Sequence, residues 1–173
     1  MRSWIESNLC GTVLNEKSTG PADGHGEELS GDHECLTLLE REDLKEHVYR
    51  GSTEYLPSET EPVISDAAKD LAKRAMDYTE EHPLYVVAIA AITNVASALL
   101  LNPDIKNRIV LIWLGGNATN WPDNKEFNLY QDVAGARIVF GCWCAACTTS
   151  VHGRCICIYD ERTGVGVSFA RKK

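Results

Sequence analysis

The chain is short of positive charge: its 17 Lys and Arg are outnumbered by 25 Asp and Glu, for a net charge of -8. A surface of that sign repels phosphate, which argues against nucleic acid or an anionic membrane as the main partner. Long hydrophobic runs are also missing. No window approaches the ~20 consecutive apolar residues of a membrane helix. Met1-Arg2-Ser3-Trp4-Ile5-Glu6 has no apolar signal-peptide core, so the cytoplasm is the expected compartment. Cysteine is nearly absent until the last fifth of the chain, where Cys142, Cys144, Cys147, Cys155 and Cys157 crowd together. Seven Cys would be notable in a secreted domain, but this segregation needs its own explanation. What remains is ordinary: 173 residues, 44% apolar and 24% charged, enough for one domain with a real core.

The most regular stretch runs from Leu84 to Asp132. Leu84-Tyr85-Val86-Val87-Ala88-Ile89-Ala90 and Ile109-Val110-Leu111-Ile112-Trp113-Leu114 are short apolar runs rich in β-branched residues, and both read as buried strands. Between them Thr93-Asn94 can cap a helix through Ala96, Ala98 and Leu100 that stops at Asn102-Pro103. A right-handed β-α-β unit with parallel strands follows, and ligands of such units sit beyond the carboxyl ends of the strands. Polar groups stand at both ends: Ala91-Ile92-Thr93-Asn94 after the first strand, Gly115-Gly116-Asn117 through Asn120 and Glu126-Phe127-Asn128 after the second.

Residues 1–35 show no apolar period and are broken by Gly20, Pro21, Gly24, Gly26 and Gly31, which reads as loop or disorder. From Leu36 the pattern returns, with Leu36, Leu38 and Leu39 near the end of a helix and a short strand at His47-Val48-Tyr49-Arg50-Gly51. Ser65 or Asp66 caps a helix with Ala67, Ala68, Leu71, Ala75 and Met76 at helical spacing. Asp132 can cap another, with Val133, Ala136, Val139 and Phe140 on one face. Alternating strands and helices predict an α/β domain with a mainly parallel sheet flanked by helices.

These residues resemble the inosine/uridine-preferring nucleoside hydrolases from Asn15 to Gly141. Asn15-Glu16-Lys17-Ser18-Thr19 is similar to the family's first polar loop, Ala91-Ile92-Thr93-Asn94 to its threonine turn, and Leu114-Gly115-Gly116 through Glu126-Phe127-Asn128 to Asp132 to its ribose-binding loop. The resemblance implies hydrolysis of the N-glycosidic bond of a purine or pyrimidine ribonucleoside, with calcium holding the ribose diol and the attacking water. It makes the Thr93 carbonyl a calcium ligand and assigns Asn15, Asn120, Glu126 and Asn128 to ribose hydroxyls. A family-like homo-oligomer is among the assemblies it suggests. Ala90 stands where the family usually has Gly. The family's opening motif, D-x-D-x-x-x-D-D, has no counterpart near Asn15, and neither has a later segment that supplies a further Asp ligand and often a His. No catalytic residue is identifiable, and a lone carbonyl cannot hold calcium, which takes six to eight oxygens.

The pattern fails over Asn8 to Val13, His25 to Cys35 and from Trp143 onward, and one cause accounts for all three. With allowed codons, a one-base offset turns Trp143 to Cys157 into GVPLVQLPCMGVVS, which resembles the family's next strand and loop. The same offset turns Asn8 to Val13 into ICAAPF and His25 to Cys35 into MEKSYQEIMNV, a buried strand and the start of an amphipathic helix. The expected organisation is a partial nucleoside hydrolase domain over 1–141, ordered at about 36–141, and a Cys-rich, out-of-frame tail over 142–173. The rival is a metal- or protein-binding module in which Cys142, Cys144, Cys147, His152, Cys155 and Cys157 ligate zinc. C-x-C pairs chelate less well than C-x2-C pairs, and no hairpin pattern surrounds them. Metal analysis of the purified chain is expected to find no stoichiometric zinc; one zinc per chain would establish the rival.

Overall fold

A computed structural model describes residues 10–11, 21–117, 122–123, 125–142, 145–149 and 155–158, with side chains for those from 30 to 142. Two short strands, β1 (Cys10–Gly11) and β2 (Tyr49–Arg50), form a small parallel pair. The main sheet has four strands in the order β3 (Leu84–Ala88), β4 (Ile109–Leu114), β5 (Ala145–Thr149) and β6 (Cys155–Ile158). The first three are parallel, with Leu84 opposite Ile109 and Val110 opposite Ala145, and β6 runs antiparallel along β5. The expected α/β domain with a mainly parallel, helix-flanked sheet is thus the fold observed.

The helices are α1 (Pro21–Leu38), α2 (Asp66–Arg74), α3 (Thr93–Leu101), α4 (Phe127–Gln131) and α5 (Val133–Gly141). Ser65 caps α2, its Oγ accepting from the Ala68 N–H at 3.0 Å, and a 3-10 turn over Ala75–Asp77 leaves Met76 largely exposed. α3 ends at Asn102, whose side chain accepts from the Asp104 N–H and donates to the Ala72 carbonyl at 3.2 Å. Pro103 then opens the turn leading to β4, as its missing N–H and fixed φ favour at a first helical position. Small side chains dominate the α2–α3 contact: Ala68, Ala72, Ala75, Ala96 and Ala98 are buried, and small side chains let helix axes approach closely. Among the described residues no helix is long and apolar enough to cross a membrane.

Two stretches differ from the sequence pattern. α1 begins at Pro21 inside the span read as loop, because Gly24, Gly26 and Gly31 lower helix propensity without forbidding a helix. Beyond Gly141, β5 and β6 continue the sheet as an antiparallel pair, against the expectation that no hairpin pattern surrounds the cysteines.

The core centres on Trp113, fully buried with its Nε1 donating to the Ala90 carbonyl at 2.9 Å and its ring 5.8 Å from that of Phe140. Its indole lies under the turn after β4, where any side chain at Gly115 would overlap the ring. Gly115→Ala is therefore expected to lower stability by about 1–3 kcal/mol, read as a lower urea midpoint at unchanged slope.

Candidate functional site

The carboxyl ends of β3 and β4 are tied together by one side chain. Asn128, buried in α4, donates through Nδ2 to the Leu114 carbonyl at 2.7 Å and to the Ile89 carbonyl at 3.3 Å. α4 is held in place by Glu126, its N-cap, which is only 6% exposed. Glu126 Oε1 accepts from the Asn128 N–H at 3.1 Å, and Oε2 accepts from Leu129 at 2.9 Å and Gly116 at 2.8 Å. Gly116 has φ +82, a left-handed conformation that glycine adopts without steric cost. The carboxylate thus gathers three backbone donors from both sides of the loop spanning 117–125.

A second buried carboxylate lies at the start of α5. Asp132, 2% exposed, accepts from the Gly135 N–H at 2.7 Å through Oδ1, and through Oδ2 from the Thr93 hydroxyl at 2.5 Å and the Leu56 N–H at 3.2 Å. Thr93 corrects an expectation. It is the first residue of α3, not its cap; Ile92 takes the cap position and no side chain caps the helix. The Thr93 hydroxyl donates to the Asp132 side chain instead. Asn94, also expected to cap, accepts at Oδ1 from the Ser52 N–H at 2.9 Å and from the hydroxyls of Ser52 and Ser65 at 2.8 Å each.

Of the residues read from sequence, Glu126, Asn128 and Thr93 lie at the strand ends, whereas Asn15 and Asn120 fall outside the described residues. Asp132 was legible only as a helix cap. Its other partners lie 39 and 76 residues away, and no local spacing signals them. Ser52 and Ser65 as partners of Asn94 were missed for the same reason.

The calcium implied by the resemblance finds no donor set among the described residues, where no group of three or more His, Cys, Asp and Glu could hold a metal ion. Both carboxylates nearest the strand ends are already surrounded by hydrogen-bond donors. As a first helical residue, Thr93 has its carbonyl directed along α3 into the helical ladder. The described residues do not fit calcium. Of the candidate zinc ligands, Cys142 donates its thiol to the Val139 carbonyl at 3.1 Å, and Cys144 and His152 lie outside the described residues.

Removing the Asp132 carboxylate would leave three buried donors without that acceptor, each costing about 1–3 kcal/mol. Asp132→Ala is expected to destabilise the chain by at least about 3 kcal/mol, and the exposed Asp104→Ala by less than about 0.5 kcal/mol. Paired urea titrations check the difference.

The family model described as inosine-uridine preferring nucleoside hydrolase matches residues 12–164, a stretch that includes the strand ends and part of the Cys-rich tail. The pyrimidine-specific ribonucleoside hydrolase RihA of Escherichia coli is 34% identical over 88 residues, which are 49% of this chain and 28% of that protein. RihA of Citrobacter koseri is 35% identical over 82 residues, 46% of this chain and 26% of that protein. The matched region spans less than a third of either relative's length. Since that family model matches residues 12–164, most of the chain, the chain belongs to the inosine-uridine preferring nucleoside hydrolase family.

Proposed function

We propose that this chain carries the sugar-binding side of a nucleoside N-ribohydrolase site and, by itself, binds ribonucleoside without hydrolysing it. The reading rests on one observation, the position of Glu126 and Asn128 across the carboxyl ends of two parallel strands, where α/β folds receive ligands. Asn128 spends its amide hydrogens on Ile89 and Leu114, which leaves its Oδ1, without a partner among the described residues, to accept from a sugar hydroxyl. Glu126 takes three N–H donors, and an ionised carboxylate offers about four acceptor sites, so one remains. Asn15 and Asn120 would complete the hydroxyl contacts. The pyrimidine specificity of the relatives makes uridine the first ligand to try, and the cytoplasm remains the compartment expected from the sequence.

Hydrolysis asks for more than orientation. Cleaving an N-glycosidic bond develops oxocarbenium character at the anomeric carbon, so water must be deprotonated on one face while the base departs from the other. Neither buried carboxylate is placed to take that proton. Glu126 is held by α4 and Gly116, and Asp132 by Thr93, Leu56 and Gly135. A recognisable enzyme lowers its barrier by at least ~8 kcal/mol, and donors that fix the sugar alone supply a fraction of that. The out-of-frame origin proposed for 142–173 would be tested directly by the coding DNA.

Two measurements test the proposal together. Uridine titrated into labelled protein is expected to shift the Asn128 side-chain amide resonances, with no saturable shifts elsewhere once Asn128→Ala is introduced. Inosine and uridine with added calcium are expected to release base at the background rate. Calcium-dependent turnover abolished by both Glu126→Ala and Asn128→Ala would overturn the claim of inactivity; no uridine-dependent shift would overturn the claim of binding.

A further inference from the structure

α3 leaves the carboxyl end of β3 and returns to the start of β4, and α5 leads to the start of β5, so both helices end on the side of the sheet opposite Glu126 and Asn128. A cavity of about 450 Å³ opens there. Leu99, Leu100 and Pro103 supply apolar lining from the end of α3, Ile138 supplies it from α5, and Lys106, Arg137 and Glu59 bring charge. A cleft of this size, mostly apolar with a few polar groups, is the usual form of a small-molecule site.

The charged groups differ in how they are committed. Arg137 Nη1 donates to Glu59 Oε1 at 2.9 Å, but those side chains are 68% and 51% exposed, and an exposed ion pair is held weakly. Lys106 is half-buried in the turn after α3 and forms no ion pair among the described residues, whereas Lys45 and Lys69 reach Glu42 and Asp66. With Glu59 offsetting Arg137, the cavity keeps a single uncompensated positive charge beside its apolar lining, in a chain whose net charge is -8.

We propose that this cavity binds an amphipathic monoanion, an aliphatic carboxylate whose head is held by Lys106 and Arg137 and whose chain lies on Leu99, Leu100, Pro103 and Ile138. The guanidinium of Arg137 gives Glu59 only one of its several N–H donors, so others are left to share the head with the Lys106 ammonium. A single negative charge matches the one positive charge left open; a phosphate-like dianion would meet the repulsion of the acidic chain without a second free cation. The lining calls for a hydrocarbon chain rather than a compact polar molecule, because each methylene taken out of water strengthens binding by up to about fourfold. The site lies at the other end of the sheet from the sugar-binding residues and is independent of what they hold.

Calorimetric titration of the full chain with sodium octanoate, kept below its micellar range, tests the assignment. Saturable binding at a single site is expected, tighter for decanoate and weaker for hexanoate. Octanol, with the same chain and no charge, and octyltrimethylammonium, with the opposite charge, are each expected to bind at least about fivefold more weakly. Lys106→Ala is expected to weaken octanoate binding at least about fivefold, Lys106→Arg to keep most of it, and Glu59→Gln, which releases Arg137, to tighten it. Lys69→Ala, at an exposed position on α2 outside the cavity, is expected to leave it unchanged. Matching circular dichroism and urea midpoints show that the variants fold. No saturable binding, or binding unaltered by Lys106→Ala, would overturn the proposal. Octanol binding as well as octanoate would overturn it in favour of a plain apolar cleft, and tighter binding of the ammonium in favour of a cation site set by the negative ends of α3 and α5.

Discussion

The arrangement of this fold depends on a buried carboxylate that has no cation beside it among the described residues. Asp132 is tolerated because three donors converge on its two oxygens, and each comes from a different part of the chain. Burying an ion without such partners costs far more than a domain's net stability allows. The converse is that the carboxylate fixes where its donors must be. It joins the segment before α2, through Leu56, to the first turns of α3 and α5. Asn94 does similar work one residue beyond Thr93, drawing Ser52 and Ser65 onto the same helix start. The loop after β2, the capped start of α2 and the N-terminal ends of α3 and α5 are thereby one polar assembly lying over an apolar core.

That assembly explains which parts of the structure could be read in the sequence. Strands β3 and β4 were legible as β-branched runs, although β3 was read as buried and in fact leaves Tyr85 and Val87 exposed, and α2 was legible because Ser65 precedes alanines at helical spacing. The stop at Asn102-Pro103 and the cap at Asp132 are local signals with local causes. α1 was hidden by its glycines, which mark loops more often than helices, and β5 lay within a Cys-rich stretch that has no alternating pattern. Thr93 was misread for another reason: a hydroxyl at a helix start has a local use, and only the fold reveals the acceptor across from it.

At the candidate site, Glu126 and Asn128 stood out in sequence through their resemblance to a ribose loop, and the structure puts both at the strand ends. Their intramolecular bonds were not legible. Each of the two side chains has a structural task that uses most of its hydrogen-bonding capacity, and what is left over is an acceptor on each. Two acceptors suit sugar hydroxyls, which donate, better than they suit phosphate or a carboxylate.

Gly116 and Glu126 also bracket the segment between them. One carboxylate grips the backbone at both of its ends, accepting from Gly116 on one side and Leu129 on the other. Because the grip is on backbone N–H groups, it ignores the identity of neighbouring side chains. The two ends of the segment are thereby held at a fixed separation by one side chain.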